Sequence, residues 1–247
     1  MASSVGRIGW CVSQVELHYL STKEDGFDID LDQAVDMLDQ GELHRYQSFR
    51  VEHAKQCFLQ ARRIAKTQLA EKLGCSAKDV RFDYTETEKP FLIDENSQAI
   101  NDWHFNISHS HSVIVVAIAK HAVGVDVEDI DRCLKVWMKA GSFLNSFAKT
   151  QVDKGRTDQE CAAIFAEQWG CTESYVKLKG SAIYRDKDRV QAKAHSNFIA
   201  GSKKTFEDVF FTNFNFDKNS RISVAVEKEF PCIELIYWRS GKREVFN

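Results

Sequence analysis

The chain has 247 residues, of which 43% are hydrophobic and 11% aromatic. A chain of this length and composition can bury a substantial core, which argues against disorder as its main state. Its formal net charge of −3 argues against a general nucleic-acid binder, because duplex binding normally rests on a broad basic surface that neutralises phosphates.

The cysteines and the N-terminus indicate the cellular compartment. The seven cysteines are scattered, odd in number and contain no C-x-x-C pair. This pattern is typical of a reduced protein and predicts neither a disulfide framework nor structural zinc. The N-terminus lacks a charged segment followed by an apolar stretch, and the longest apolar run, 113–119, is far too short to span a bilayer. We therefore expect a soluble, cytoplasmic protein with no membrane partner.

The first long helix is predicted between Val51 and Leu73. Apolar residues recur there at intervals of three and four, and the pattern stops at Gly74, a typical C′ glycine. The polar side of this helix is basic. Such a side is by default a solvated surface, and the sharper alternative is an anion-binding face. Its basic residues are Lys55, Arg62, Arg63 and Lys66, with Arg45 and Arg50 just upstream.

Two strands are predicted next, at 80–84 and 112–119, with turn-rich residues between them. The second strand is continuously apolar, which predicts burial on both faces. The polar segment 105–112 leads into it and is predicted as a short turn. Hydroxyls, a histidine and backbone N–H groups in such a turn can hold phosphate oxygens. The alternative is a hydrogen-bonded turn with a structural histidine, and we prefer this alternative for His111.

The segment 124–128 predicts a strand with two acids on one face. Side chains alternate along a strand, so Asp126 and Glu128 point the same way while Val125 and Val127 point into the core. An isolated D-x-E pattern usually means only a solvated face. Here the acids follow a strongly buried run, where an unpaired carboxylate cluster would repel itself and resist burial. A bound cation relieves that cost, and Mg²⁺ accepts carboxylates together with phosphate oxygens and waters.

A second long helix is predicted from Thr157, where Thr157-Asp-Gln-Glu160 fits a capping box, to Gly180. Glu173 and Lys177 lie four residues apart on one face of it. The structural interpretation is an intrahelical ion pair that contributes roughly 0.2–0.5 kcal/mol. In the functional alternative Glu173 reaches the metal or accepts a proton from a hydroxyl, while Lys177 neutralises phosphate charge. Three predicted strands, at 209–216, 222–226 and 232–238, close the chain.

The order of these elements predicts an α+β fold whose two halves meet near residues 120–124, although the halves share no obvious sequence repeat. A site between the halves would combine the acids of the second half with the basic helix of the first, and clefts between lobes are common ligand sites. The local signatures of P-loop, Rossmann, zincin and serine-hydrolase proteins do not occur in the sequence.

Three motifs occur in a specific order and spacing: Phe105-Asn-Ile-Ser-His-Ser110, Gly124-Val-Asp-Val-Glu128, and Trp169-x-x-x-Glu-Ser-Tyr-Val-Lys177 followed by Gly180. Together they resemble the surfactin-type (Sfp-type) 4′-phosphopantetheinyl transferases. The resemblance covers most of the chain, and the conjunction of motifs is specific, whereas any single one is not. It implies a monomer of two similar, pseudo-twofold-related α+β lobes, 1–121 and 122–247. Each lobe would be a small, mainly antiparallel sheet packed on a long helix, with coenzyme A in the cleft between the lobes.

The resemblance also implies a reaction. Members of the family use Mg²⁺ to transfer the phosphopantetheine arm of coenzyme A to a serine of an apo acyl or peptidyl carrier protein, releasing adenosine 3′,5′-bisphosphate. Asp126, Glu128 and Glu173 would be the metal-site acids, and Glu173 would also be a candidate base. Lys177 would face the diphosphate and take part in catalysis.

Contacts to coenzyme A are implied at further positions. Ser108 and His109 would contact its phosphates. Lys89 matches a G-K-P turn near the nucleotide, although Glu88 stands in place of the glycine. The basic pair of the first long helix is represented by Arg62 and Lys66.

One residue departs from the family pattern: Thr172 stands where a lysine usually precedes the glutamate. Either Lys179 or a lysine in the basic stretch 184–204 replaces the missing charge, or the protein is slower or altered in substrate choice. This leaves two alternatives to the transferase, a coenzyme A or carrier-binding protein of the same fold and a Mg²⁺-dependent phosphohydrolase.

Apolar residues of segment 134–147 would select the carrier protein, although core packing is the preferred interpretation of that segment. The motifs do not specify the pathway that the carrier serves.

Overall fold

The computed structural model describes residues 14–23, 31–140, 144, 146–181, 203–206, 208–215, 217–227, 231–239 and 242–245. Strands and helices occur in separate runs along these residues, an α+β pattern that confirms the predicted fold class. The helices are α1 (Leu31–Val35), α2 (Gln40–Ser48), α3 (Glu52–Leu73), α4 (Ile130–Ala140), α5 (Ser146–Val152) and α6 (Asp158–Lys179). The strands are β1 (Gln14–Ser21), β2 (Arg81–Tyr84), β3 (Pro90–Ile93), β4 (His104–His109), β5 (Val113–Ala119), β6 (Val123–Asp129), β7 (Lys203–Phe206), β8 (Val209–Phe214), β9 (Ser220–Glu227), β10 (Cys232–Arg239) and β11 (Lys242–Val245).

The first sheet has the strand order β11-β10-β1-β5-β4. Its β1 and β10 strands run parallel, whereas the other neighbours are antiparallel. All seven residues of β5 are buried, as its continuous apolar run predicts. Helix α3 packs on this sheet and shares its core, because Ile64 and Leu69 belong to the same buried cluster as Ile114 and Val116.

The second sheet has the antiparallel order β6-β9-β8-β7. Helix α6 lies along it, and α4 and α5 pack on α6. The two sheets also share a core, in which Val115 and Ala117 of β5 cluster with Val125 of β6 and Val224 of β9. Strands β10 and β11 cross the predicted boundary at 121/122, since they complete the sheet of β1. The arrangement as two lobes stays a prediction.

The two long helices confirm the sequence prediction at both ends. Gly74 and Gly180 cap α3 and α6 with φ of 69° and 60°, the left-handed conformation that glycine adopts without strain. The Thr157 side chain accepts the backbone N–H of Glu160, as predicted for an N-cap. The capping box is incomplete, however, because the Glu160 carboxylate accepts the N–H of Arg156 and not that of Thr157.

The prediction of a turn at 105–112 is wrong for most of that segment. Residues His104–His109 form β4, which pairs antiparallel with β5. The polar residues Asn106 and Ser108 suggested a solvated turn, but both are buried against β6, whose backbone they bind. A neighbouring strand thus satisfies polar groups that the sequence alone assigned to solvent.

Among the helices that the structure describes, none is both long enough and apolar enough to cross a membrane.

Gly124 is where β6 and α6 approach most closely. A Cβ at this position would lie 2.0 Å from the carbonyl oxygen of Ser174 and 2.6 Å from the backbone nitrogen of Leu178. No rotamer change can relieve a clash with helix backbone. The small residue therefore sets the distance at which α6 presents its side chains to β6.

We expect Gly124→Ala to lower the free energy of unfolding by about 3 kcal/mol or more, because α6 must move away from the sheet. Denaturant unfolding measures this loss. Gly41→Ala is the matched control, since the nearest atom to its added methyl group is 3.4 Å away, and we expect it to change stability little. An equal loss in both variants would contradict the close packing at Gly124.

Candidate active site

A cleft of about 900 Å³ opens between the first sheet with its helices and the second sheet with α6. Helices α2 and α3 and the β2–β3 hairpin line one side, while β6, α4 and α6 line the other. Strand β4 lies between them. Seven of the nine residues assigned to the site from sequence line this cleft, and Lys66 and Lys89 do not. The seven are Arg62, Ser108, His109, Asp126, Glu128, Glu173 and Lys177.

Three carboxylates meet on one side of the cleft. Strand β6 contributes Asp126 and Glu128, and α6 contributes Glu173. Burial, together with the negative charges of Asp126 and Glu173, raises the pKa of Glu128 to about 8. Burial, followed by the charge of Asp126, also raises the pKa of Glu173. The group therefore holds more negative charge than its surroundings stabilise.

Lys177 lies inside this group of acids. Its Nζ is 2.6 Å from Asp126 Oδ1, 3.4 Å from Glu173 Oε2 and 3.0 Å from Ser108 Oγ. Burial alone would lower the pKa of Lys177, but Asp126 and Glu173 outweigh it and raise that pKa. The intrahelical pair with Glu173 that the sequence predicted is present, and the shorter contact is with Asp126 on β6.

No three His, Cys, Asp or Glu side chains among the described residues are grouped closely enough to form a ready metal site. The acids nevertheless fit a hard cation in their chemistry, because all three offer oxygen ligands. Burial and the charges of neighbouring acids raise the pKa values of Glu128 and Glu173, and a bound cation would favour their ionised forms. Magnesium binding stays a prediction.

The titration of Glu128 gives a test on the metal-free protein. Its pKa is raised from an ordinary 4.5 to about 8 in the folded state, so the folded state binds a proton more tightly than the unfolded state. Stability from this group is present below about pH 4.5 and is lost as the pH rises toward 8. In EDTA, Tm should therefore fall across this range, and Glu128→Gln should reduce that fall. A Glu128→Gln protein with the same Tm profile as the unmodified chain would contradict the raised pKa.

Strand β4 joins the acids to the first sheet through two side chains. Asn106 Oδ1 accepts the N–H of Val125 at 2.9 Å, and Ser108 Oγ accepts the N–H of Val127 at 3.3 Å. The Ser108 hydroxyl also donates to Asp126 Oδ1 at 2.9 Å. Ser108 thus orients Asp126 and Lys177, whereas the neighbouring His109 faces the cleft and is exposed. Sequence reasoning missed Asn106, although it belongs to the Asn-Ile-Ser-His-Ser motif.

Asp129, which sequence reasoning also missed, holds the connection between β4 and β5. Its carboxylate accepts the backbone N–H groups of His111 at 3.0 Å and Ser112 at 3.3 Å, together with the Ser112 hydroxyl. The ring of His111 packs against that of His53, with centroids 4.7 Å apart. These contacts agree with a structural role for His111. The sequence could have indicated Asp129, because it is a third acid at the end of the Asp-x-Glu strand.

The two basic residues assigned on α3 have different surroundings. Arg62 lines the cleft, and its guanidinium binds Glu42 at 3.0 Å and the hydroxyl of Tyr84 at 3.0 Å. Lys66 is fully buried and binds Glu42 at 2.7 Å and the carbonyl oxygen of Met37 at 2.9 Å. A coenzyme A contact by Lys66 stays a prediction that this geometry does not favour. Arg45 of α2 lines the cleft instead.

Lys89 lies at the end of α6 and not on the cleft wall. Its Nζ donates to the carbonyl oxygen of Leu178 at 2.9 Å, so it caps the negative end of that helix. Burial lowers the pKa of Lys89 to about 8. The preceding Glu88 has a φ of 61°, a conformation that a glycine would adopt without strain. The contact of Lys89 with the nucleotide stays a prediction.

Of Thr172 and the segment proposed to select the carrier protein, only part of the segment lines the cleft. Thr172 is buried, and its hydroxyl donates to the carbonyl oxygen of Gln168. In segment 134–147, Leu144 belongs to the core, whereas Val136 and Met138 are exposed, 40% and 74% respectively. Val136 also lines the cleft. The side chain of Phe147 and almost all of the basic stretch 184–204 lie outside the described residues.

Comparisons with known proteins show which sequences this chain resembles. A family profile described as "4′-phosphopantetheinyl transferase, N-terminal" matches residues 26–121. The chain is 28% identical over 154 residues to 4′-phosphopantetheinyl transferase HetI of a Nostoc species, covering 59% of this chain and 61% of HetI. It is 30% identical over 122 residues to 4′-phosphopantetheinyl transferase gsp of Aneurinibacillus migulanus, covering 49% of this chain and 47% of gsp.

A third relative is 4′-phosphopantetheinyl transferase Sfp of Bacillus subtilis, 25% identical over 136 residues, with 54% of this chain and 56% of Sfp covered. The chain thus spans between about half and three fifths of the length of these relatives. The profile and the relatives carry one description, which is also the one that the three sequence motifs indicate. The profile, these relatives and the three motifs together make the chain similar to the Sfp-type 4′-phosphopantetheinyl transferases.

Proposed function

We propose that this protein transfers the 4′-phosphopantetheine arm of coenzyme A to a serine of an apo acyl or peptidyl carrier protein in a Mg²⁺-dependent reaction. The observation that carries the proposal is the grouping of Asp126, Glu128, Glu173 and Lys177 on one wall of a cleft of about 900 Å³. Such a cleft is large enough for a nucleotide-sized ligand. The names of the relatives support the same chemistry.

The opposite wall of the cleft suits the nucleotide part of coenzyme A. Arg45 and Arg62 line it and supply positive charge for phosphate groups, while Phe49 and Phe58 offer aromatic surface. The guanidinium of Arg62 lies 4.9 Å from the ring centre of Phe58, a cation–π distance. Charged and aromatic side chains thus stand on the same wall, which suits a ligand with both a base and phosphates.

In the proposed reaction the serine oxygen of the carrier protein attacks the β-phosphorus of coenzyme A. The bond from that phosphorus to the departing oxygen breaks, and adenosine 3′,5′-bisphosphate leaves. Asp126, Glu128 and Glu173 would hold Mg²⁺, which, when bound, neutralises charge on the diphosphate. Glu173 accepts the serine proton, for which its raised pKa suits it. Lys177 stabilises the negative charge that develops on the leaving group.

The nucleophile arrives on the partner, which explains why the site needs no serine of its own activated by a histidine. We further propose that the protein acts as a cytoplasmic monomer. Its partners are coenzyme A and the carrier protein, without a nucleic acid or a membrane.

Intact-mass measurement of apo carrier proteins, incubated with this protein, coenzyme A and Mg²⁺, tests the proposal. A gain of one phosphopantetheine on the carrier is expected, and it should vanish with a chelator or when the acceptor serine is replaced by alanine. Bound coenzyme A without any gain would instead identify a binding protein of the same fold. Release of free phosphopantetheine would identify a phosphohydrolase.

A further inference from the structure

A row of three buried polar side chains crosses the second sheet behind the carboxylates. Ser223 on β9 lies directly opposite Asp126 on β6 and directly opposite Asn213 on β8. Side chains of directly opposed residues share a face of the sheet, with Cβ atoms about 4.5–5.5 Å apart. The three side chains face α6 and are only 2%, 1% and 3% exposed for Asp126, Ser223 and Asn213.

The row contains polar atoms that the described chain leaves unpaired. Asp126 Oδ1 binds Lys177 and Ser108, but Asp126 Oδ2 has no hydrogen-bond partner among the described residues. The same holds for Ser223 Oγ and Asn213 Nδ2. An unpaired buried group of this kind destabilises the folded state. A carboxylate oxygen accepts, whereas a hydroxyl and an amide nitrogen donate, so these three atoms are chemically complementary.

Gly170 of α6 packs directly against this row. A Cβ at position 170 would lie 2.6 Å from Ser223 Oγ and 3.6 Å from Asp126 Oδ2. The hydroxyl and the carboxylate oxygen therefore both lie beside the same point of the α6 backbone, where a side chain larger than that of glycine would clash with Ser223. A polar volume with two or more hydrogen-bonding neighbours is the setting in which proteins hold a buried water.

We propose that Ser223 is a positioning residue for Asp126. Its hydroxyl donates to one buried water beside Gly170, and that water donates to Asp126 Oδ2. Asn213, the third residue of the row, lies on the other side of Ser223 from Asp126. With Ser108 and Lys177 on Oδ1, the carboxylate is then held from both ends, so its plane is fixed before a cation arrives. Partners that orient a metal-binding side chain commonly contribute a factor of roughly 10–100 to metal affinity.

The inference rests on the proposed function and is tested by Mn²⁺ binding to the metal-free protein. The electron paramagnetic resonance signal of free Mn²⁺ measures how much of the ion is bound. Ser223→Ala should weaken Mn²⁺ binding roughly tenfold, with Tm within a few degrees of that of the unmodified protein. Ser220→Ala is the matched control, because Ser220 lies on the same strand, is fully buried and is opposite Asp129 instead of Asp126. It should bind Mn²⁺ as the unmodified protein does.

A high-resolution crystal structure of the unmodified protein provides a second measurement that does not depend on how the variants fold. It should show a water within hydrogen-bond distance of both Ser223 Oγ and Asp126 Oδ2. Equal Mn²⁺ affinity of Ser223→Ala and the unmodified protein would overturn the inference while leaving the proposed function intact, as would a crystal structure without this water. If the unmodified protein fails to bind Mn²⁺, the proposed metal-dependent function fails, and the inference fails with it.

Discussion

Asp126→Asn is expected to lower kcat/KM for phosphopantetheine transfer by a factor of about 10³. Asp126 is the only one of the three acids that binds both Lys177 and Ser108, so its charge holds the lysine and its oxygens are shared with the proposed metal. Asparagine keeps the shape of the side chain and avoids a cavity, which alanine would leave at this buried position. The amide should remove the charge and leave the fold in place.

Two measurements check this expectation: transfer rates at saturating Mg²⁺, and Mn²⁺ affinity of the metal-free protein. The control is Asp131→Asn, which changes an exposed acid just beyond the end of β6. It should transfer phosphopantetheine at the normal rate. Near-normal turnover by Asp126→Asn would remove Asp126 from the metal site and with it the geometric basis of the proposed function.

Lys177→Ala is expected to lower kcat by a factor of about 10²–10³, because the lysine would no longer stabilise charge on the departing bisphosphate. The same substitution should destabilise the metal-free protein at neutral pH. It removes the cation that lies 2.6 Å from Asp126 and 3.4 Å from Glu173, so the three acids would repel each other without compensation. Addition of Mg²⁺ should restore part of the lost Tm if the acids bind it.

Lys179→Ala is the matched control on the same helix. Lys179 pairs with Glu227 at the surface, and such exposed pairs contribute about 0–1 kcal/mol. Both kcat and Tm should therefore stay close to normal in the control. If Lys177→Ala keeps normal kcat but loses Tm, the lysine only balances the charge of the acids, and the leaving group is stabilised by other residues.

Helices α3 and α6 illustrate what local patterns can predict. Their apolar periodicity, the Thr157 cap and the glycines at 74 and 180 act within a few residues, so their bounds could be predicted from sequence. Strand β4 shows the limit. Its polar residues Asn106 and Ser108 are satisfied by β6, which lies almost twenty positions later in the chain, and no local pattern contains that information.

The residues of the candidate site also fall into those that local sequence patterns could predict and those that they could not. The acids and Lys177 could be assigned because their spacing places them on one strand and on one helix face. By contrast, Lys66 and Lys89 were assigned as ligand contacts because of their charge and motif position. The structure instead pairs Lys66 with Glu42 and places Lys89 at the carbonyl end of α6. Whether a buried lysine faces a ligand or an internal partner depends on packing that a sequence motif does not encode.

The sequence by itself determined the α+β class, the two long helices, the strand of acids and the resemblance to the 4′-phosphopantetheinyl transferases, because each follows from short-range periodicity or from motif identity. Only the tertiary structure decided that Lys177 of α6 contacts Asp126 of β6, that Asn106 and Asp129 connect β4 and its loop to β6, and that β10 joins β1 in the first sheet. These contacts join residues far apart in the chain. They form only when the two sheets bury their shared core, and that long-range packing is what brings the acids, the lysine and the cleft together.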